Sequence, residues 1–260
     1  PFSVPGETVE IEITRDHGRY VEARLVDIRE ASPARVEPDC PAFGVCGGCQ
    51  ARHMAYAETL RWKRQRVVDA LERIGGFEAP RVLETLPMPD PLRCRNKAEY
   101  AISRGKIGLV RAGSRELVPR TDCLLQRDES VRVLQALAKM DLRALQGAVT
   151  RVNRRGEVML TLCGTAKEPP IRSFPGVQSL YYCRLNPHPA HALDGDCRLL
   201  SGAERLEEEL FDLRFALLPQ SFFQVNAKQA ERMYAVALDA LELQNGQAVL
   251  DAYCGAGTIT

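Results

Sequence analysis

No run of apolar residues in this chain is long enough to span a bilayer, and no signal-peptide pattern opens it, so the membrane-spanning and secreted classes are set aside. Without a secretory signal, nine cysteines speak for a reducing, cytoplasmic setting. A disulfide framework is thereby excluded, and metal binding or catalysis is left. Net charge is nearly absent as well, +1 over 260 residues, so any basic surface must be local. No internal repeat or low-complexity stretch stands out. No initiator methionine stands at Pro1, and the chain stops at Thr260 inside a motif, so it reads as a piece of a longer protein. What is present is ordinary globular material, 45% hydrophobic and 27% charged, long enough for two domains.

Three of the thiols are not ordinary. Cys40-Pro-Ala-Phe-Gly-Val-Cys46-Gly-Gly-Cys49 has the spacing C-x5-C-x2-C, and Gly44, Gly47 and Gly48 loosen the backbone so that the sulfurs can converge. Two thiols two residues apart form a common metal-binding unit, and a third argues against a simple redox pair. A closed zinc site or a cubane iron–sulfur cluster needs four ligands, so one must come from elsewhere. Cys163 and Cys183 lie in apolar strand runs, where core packing explains them, and Cys254 belongs to a glycine turn near the end. Cys94, Cys123 and Cys197 stay open by spacing, Cys123 standing where a strand run gives way to a helix.

Residues 7–28 alternate as two strands joined by Asp16-His17-Gly18, and two strands cannot make a core alone, so they read as the remnant of a small barrel. A helix is expected from Tyr56 to Ile74, ended by Gly75-Gly76, with Arg61, Lys63, Arg64 and Arg66 crowding its first half. Residues 91–120 form the most basic stretch: Arg93, Arg95, Lys97, Arg104, Lys106, Arg111, Arg115 and Arg120 oppose only Glu99 and Glu116. Its pattern gives antiparallel strands at 98–103 and 106–112, a platform suited to tracking phosphates. A helix over 127–140, a hairpin from Arg151 to Cys163, and strands near 177–184, 197–200 and 210–217 continue an antiparallel design.

The C-terminal stretch changes character. Asn226 and Gln229 read as a capping box opening a helix over 227–243, and Asn245-Gly246 stops it. An apolar strand at 248–252 then runs into Leu250-Asp251-Ala-Tyr253-Cys254-Gly255-Ala-Gly257-Thr258. This departs from the G-x-G-x-x-G of nicotinamide enzymes and fits the nucleoside-binding turn of class I methyltransferases. Its glycines admit the methionine part of S-adenosylmethionine, and Tyr253 offers an aromatic face for the adenosine.

With both ends read, the chain resembles the RNA uracil-C5 methyltransferases, the family of the bacterial rRNA enzymes that make 5-methyluridine. The resemblance is carried by Val4-Pro-Gly-Glu-Thr-Val9, the cysteine motif at 40–49, Arg95-Asn-Lys97, Ser221-Phe-Phe-Gln-Val-Asn226 and Leu250–Gly257, in that order over nearly the whole chain. It implies an α+β fragment: at 1–37 part of a TRAM-type, OB-like RNA-binding barrel, at 38–215 a central antiparallel domain with a [4Fe-4S] cluster, and at 216–260 the start of a Rossmann-like methyltransferase domain. It matches Cys40, Cys46, Cys49 and Cys123 to the cluster ligands. It matches Gln224, Asp251, Tyr253, Gly255, Gly257 and Thr258 to the S-adenosylmethionine site, although Thr258 stands where Asn is frequent. Arg93, Arg95 and Lys97 are the expected RNA contacts.

Uracil C5 is too weak a nucleophile to take a methyl group directly, so a cysteine thiolate adds at C6 and a base later removes the C5 proton. The resemblance places both groups beyond Thr260, leaving no catalytic residue in this chain and predicting no activity for it alone. The expected protein is a cytoplasmic, monomeric enzyme acting on RNA, ribosomal rather than transfer RNA. The alternatives are a non-catalytic metal-cluster RNA-binding module and a zinc-stabilised methyltransferase of small molecules.

Overall fold

A computed structural model of the chain describes residues 2–255, 257 and 258, and divides into two compact units. The first holds the chain up to Pro89 together with Arg111–Gly113; the second holds the remainder.

In the first unit β1 (Thr8–Asp16) and β2 (Val21–Glu30) form the expected antiparallel hairpin, with Ile11 opposite Leu25 and Ile13 opposite Ala23. Its turn is fixed by Gly18, which adopts φ +78° and donates its N–H to Asp16 Oδ1 at 2.7 Å. The apolar face is left open. Ile11 and Ile13 are 50% and 59% exposed, and Val9, Ile11, Val21, Ala23 and Leu25 line a groove of about 540 Å³. Below the hairpin, Glu7 accepts from Arg35 Nε at 2.5 Å and Nη2 at 2.8 Å and from Val4 N–H at 2.8 Å, tying the start of the chain to the segment after β2. Helix α1 (Tyr56–Arg73) follows the expected span. Three of its cations are held locally: Arg61 on Glu58, Arg64 on the Val82 carbonyl at 2.9 Å, and Arg66 over the Trp62 ring at 5.1 Å.

The second unit is built on a seven-stranded sheet in the order β5-β4-β3-β6-β7-β8-β9. Its strands are β3 (Lys97–Ser103), β4 (Lys106–Val110), β5 (Leu117–Val118), β6 (Gly147–Val152), β7 (Val158–Gly164), β8 (Ser179–Leu185) and β9 (Gly195–Gly202). Every residue of β6 and β7 is buried, as expected for central strands covered on both faces. Helix α2 (Asp128–Leu137) sets Val133, Leu134 and Leu137 against Ala98, Tyr100, Ala148, Leu160, Leu162 and Tyr182.

Two expectations about the strands are corrected. The sheet is not antiparallel throughout, because β7 and β8 run parallel, Cys163 beside Cys183. A parallel pair needs a long crossover, and the 165–178 segment supplies it, anchored by buried Ile171 and Phe174. The stretch 210–217 is not one strand either. A reversal at Phe211, with φ +52°, splits it between β10 (Leu206–Leu210) and β11 (Leu213–Leu217).

This second hairpin packs Leu210 and Leu217 with Phe223, Ala230 and Tyr234 of the loop and helix that follow. Helix α3 (Ala227–Ala240) is capped as the sequence predicts, Asn226 accepting from Gln229 N–H at 3.2 Å. The apolar strand expected at 248–252 is not formed; that stretch carries no strand, and Leu250 is almost wholly exposed. An apolar strand of this kind needs neighbours on both edges to satisfy its amides and bury its side chains, and no described strand pairs with it.

Candidate cofactor and RNA site

The cysteine loop folds by local bonds: Phe43 N–H to the Cys40 carbonyl at 2.9 Å, Cys46 N–H to Ala42 at 2.8 Å, and Gly44 at φ +82° between them. Cys46 bridges to Arg111, and its sulfur accepts from Gly48 N–H at 3.4 Å. Arg52 stands nearby and grips Asp39. Burial alone would pull the Arg52 pKa down, but Asp39 and the neighbouring Cys49 and Cys40 outweigh it and hold the pKa above the ordinary value. Cys40, Cys46 and Cys49 are all half-buried. Among the described residues, no three Cys, His, Asp or Glu side chains stand close enough together to hold a metal ion.

Cys123 lies in the second unit, half-buried, with its carbonyl held by Arg93 Nη1 at 2.9 Å. Its neighbour is Cys94, whose thiol is pushed up by burial, against Arg95, and further by Cys123 itself. The sequence left Cys94 and Cys123 as separate candidates; the fold sets them side by side, because Arg93 and Arg95 pair with Leu124 and Leu125. Cys163, Cys183 and Cys197, without mutual spacing in the sequence, fall opposite one another on β7, β8 and β9. Burial holds the Cys163 thiol well above its usual range, so it is an inert core group.

The three expected RNA contacts meet different fates. Arg93 turns inward with φ +50°, bonding the carbonyls of Cys123 and Gln126 and the Asp128 carboxylate at 3.0 Å. Lys97 pairs with Glu99 at 2.8 Å. Arg95 is exposed, while its backbone bonds anchor it to Leu125 and Arg127.

Between Arg95 and Lys97 sits the residue whose role the sequence did not disclose. Asn96 is 4% exposed; its Nδ2 donates to the Gln224 carbonyl at 3.1 Å and its backbone N–H to the next carbonyl, Val225, at 2.8 Å. Arg151, 3% exposed on β6, donates Nη2 to the Ser221 carbonyl at 2.5 Å. Burial lowers its pKa to about 10, opposed by Glu208 and Glu99. Asn96 Oδ1 and Arg151 Nη1 are buried with no partner among the described residues. A lone Arg inside the apolar run Gly147–Val152 was the one signal in the sequence that could have marked this cluster.

Of the cofactor residues, Gln224 is half-buried in this docked loop. Farther on, Gly255 and Gly257 adopt φ +56° and +72°, the left-handed turn expected of a backbone that must approach a ligand. Gly257 N–H bonds the Cys254 carbonyl at 2.8 Å, and Thr258 Oγ1 donates to the Tyr234 hydroxyl at 3.1 Å. Tyr253 is 96% exposed, its ring uncovered on both faces. Gly255 and Gly257 thus hold left-handed backbone beside an exposed Tyr253.

No family model matches the chain. It aligns along its whole length with proteins named as uncharacterized RNA methyltransferases. Two from Halalkalibacterium halodurans are 33% and 35% identical over 289 and 291 residues, covering 63% and 62% of those proteins. One from Listeria monocytogenes is 33% identical over 290 residues, covering 63% of it. Among solved structures, the Pyrococcus abyssi tRNA (uracil-54, C5)-methyltransferase in complex with S-adenosyl-L-homocysteine matches with a TM-score of 0.72 and 27% identity, over all of this chain and 64% of that one. The chain thus spans less than two thirds of the relatives it matches. Fold and sequence together define an RNA methyltransferase relative. Within that class, the solved structure it matches is named for methylation of uracil at C5.

Proposed function

We propose that the protein carrying this chain transfers a methyl group from S-adenosylmethionine to C5 of a uridine in RNA. The observation that carries the reading is the end-to-end match in fold to a uracil-C5 tRNA methyltransferase, joined to end-to-end alignment with proteins named RNA methyltransferases. When bound, S-adenosylmethionine supplies the methyl group. This chain's part is binding: Gln224, Asp251, Tyr253, Gly255, Gly257 and Thr258 hold the cofactor, and Arg95 with Lys97 contacts RNA phosphates. The nucleophilic cysteine and the base belong to the parent protein outside this chain. A [4Fe-4S] cluster on Cys40, Cys46, Cys49 and Cys123 is part of the proposal, supported by the thiol spacing and the family resemblance. Its role is structural, since methyl transfer moves no electron.

The test uses the full-length parent with labelled S-adenosylmethionine and, in separate arms, ribosomal and transfer RNA from a strain lacking the gene. Label recovered as 5-methyluridine supports the proposal, and the arm that takes it identifies the RNA class, ribosomal RNA being the resemblance's choice. Cofactor binding without 5-methyluridine in either arm overturns it. Iron analysis of anaerobically purified protein tests the cluster separately: Cys123→Ser protein that retains a full complement of iron removes Cys123 from the ligand set.

A further inference from the structure

The loop that carries Gln224 has no regular structure of its own, yet its carbonyls are held by side-chain and backbone donors at strand ends far away in sequence. Asn96, just ahead of β3, takes two consecutive carbonyls, those of Gln224 and Val225. Arg151, at the end of β6, takes that of Ser221. The two strand ends are themselves locked, because Val152 N–H donates to the Asn96 carbonyl at 2.8 Å and Lys97 pairs with Arg151 in the sheet register. A loop fastened at one point can still rotate its peptides. Fastening two successive carbonyls fixes the two peptide planes that flank Val225, and the first of these is bonded to the Gln224 Cα and so limits how Gln224 can turn its side chain.

We infer that Asn96 is a positioning residue for the cofactor site, holding the Gln224–Val225 peptide so that Gln224 is presented to S-adenosylmethionine, with Arg151 as the second anchor of the same loop. The inference rests on the proposed methyltransferase reading, which supplies the role of Gln224. The chemistry explains the residue types. A carbonyl inside the fold needs a neutral, short, rigid donor, and Asn offers its amide N–H at the reach the loop requires. An Asp of the same shape would set an oxygen against the Gln224 carbonyl, leaving two acceptors facing each other out of water. Arg151 brings a charge, but Glu208 and Glu99 lie close enough to offset it.

The consequence reaches the RNA side. Arg95 and Lys97, the proposed phosphate contacts, flank Asn96 directly, so three consecutive residues face RNA, the cofactor loop and RNA in turn.

The experiment measures S-adenosylhomocysteine affinity, steady-state kinetics and thermal stability of the full-length protein with Asn96→Asp, Asn96→Ser and Ser130→Ala. Ser130→Ala is the stability control: it breaks the buried hydroxyl pair between Ser130 of α2 and Thr150 of β6 and leaves the 221–226 loop alone. Asn96→Ser keeps the backbone bond to Val225 and loses only the reach to Gln224, so it serves if Asn96→Asp does not fold. The expected result is a rise of about tenfold in the dissociation constant and in KM for S-adenosylmethionine, the size of one lost buried hydrogen bond. The turnover number at saturating cofactor and the affinity for RNA should stay near wild type, and Ser130→Ala should lower the melting temperature without moving cofactor affinity. Asn96 variants that bind S-adenosylhomocysteine like wild type overturn the inference, as does an equal loss of affinity in Ser130→Ala. Wild-type protein that binds no S-adenosylhomocysteine sinks the methyltransferase reading itself, and this inference with it.

Discussion

The hairpin β1–β2 and the strand pair β6–β7 start from the same kind of sequence and end in opposite environments. Both alternate or run apolar, both turn at a glycine with positive φ, and both pair antiparallel, β6–β7 in even register and β1–β2 with shifts along its length. In β6 and β7 every residue is buried, because α2 covers one face and the 165–206 region supplies Leu193 and Leu206 to the other. In β1 and β2 none is. Ladder hydrogen bonds are thus common to both regions, and what separates them is the third layer. A hairpin with one open apolar face draws little stability from those side chains, because they remain in water.

The largest effect expected follows from that contrast. Leu160→Ala, at the centre of β7 with no exposed area, should cost about 2–5 kcal/mol through lost transfer energy and a cavity. Ile13→Ala in β1 should change stability by about 0.5 kcal/mol or less in this stretch of chain, since its side chain is already in water. Denaturant melts of the two variants check both. An Ile13→Ala loss as large as that of Leu160→Ala would show that the hairpin face is covered.

A second effect separates the units by pH. The Glu7 carboxyl, bonded bidentately by Arg35 and by backbone N–H groups that outweigh the opposing effect of its burial, titrates at about 2 instead of the ordinary 4.5. Between those values the unfolded chain binds more protons than the folded one, so the stabilisation is complete above the ordinary carboxylate range and is lost as pH falls from about 4.5 to about 2. Glu208, in the second unit, works the other way: burial raises its pKa, so its charge weakens the fold as pH rises through the window above its unfolded value. Glu7→Gln should flatten the acid loss of the first unit, followed by hydrogen exchange at residues 4–35, and Glu208→Gln should stabilise the second near neutral pH. Unchanged acid sensitivity in Glu7→Gln would show that the clasp does not hold that unit together.

Periodicity and turn chemistry made most of the elements legible. The Asp16-His17-Gly18 turn, α1 with its double-glycine stop, β3 and β4 about Arg104-Gly105, and the Asn226 cap were readable because each is decided by residues next to one another. What failed depended on partners far away. The direction of β8 is set by a crossover rather than by its own alternation, and the 248–252 run has strand composition without a neighbouring strand to pair with. The site divides the same way. The glycine turn near Gly255 and Gly257 was visible as a motif, whereas the Asn96 and Arg151 clamp is made by groups far along the chain from the side-chain-held carbonyls, 70 residues for Arg151 and 128 for Asn96. No local pattern carries that information.

The smallest effect divides two arginines one residue apart from Cys94. Arg93 and Arg95 are equally basic in the sequence, but Arg93 spends its guanidinium on the Cys123 and Gln126 carbonyls and on Asp128, while Arg95 leaves its side chain exposed. Under the proposed RNA reading, Arg95→Ala in the full-length protein should weaken RNA binding and reduce the slope of log affinity against log salt by about one, the share of a single phosphate contact. It should leave the melting temperature alone. Arg93→Ala should do the reverse, lowering the melting temperature by loosening the Cys123–Gln126 turn while leaving the salt slope near wild type. Lys97→Ala should fall between them, because its ammonium must leave Glu99 before it can meet a phosphate. Binding isotherms at several salt concentrations, read beside thermal melts, decide the case. A slope that falls for Arg93→Ala and holds for Arg95→Ala would mean that the inward turn of Arg93 reverses when RNA binds, and that the basic strand is a platform assembled only in the complex.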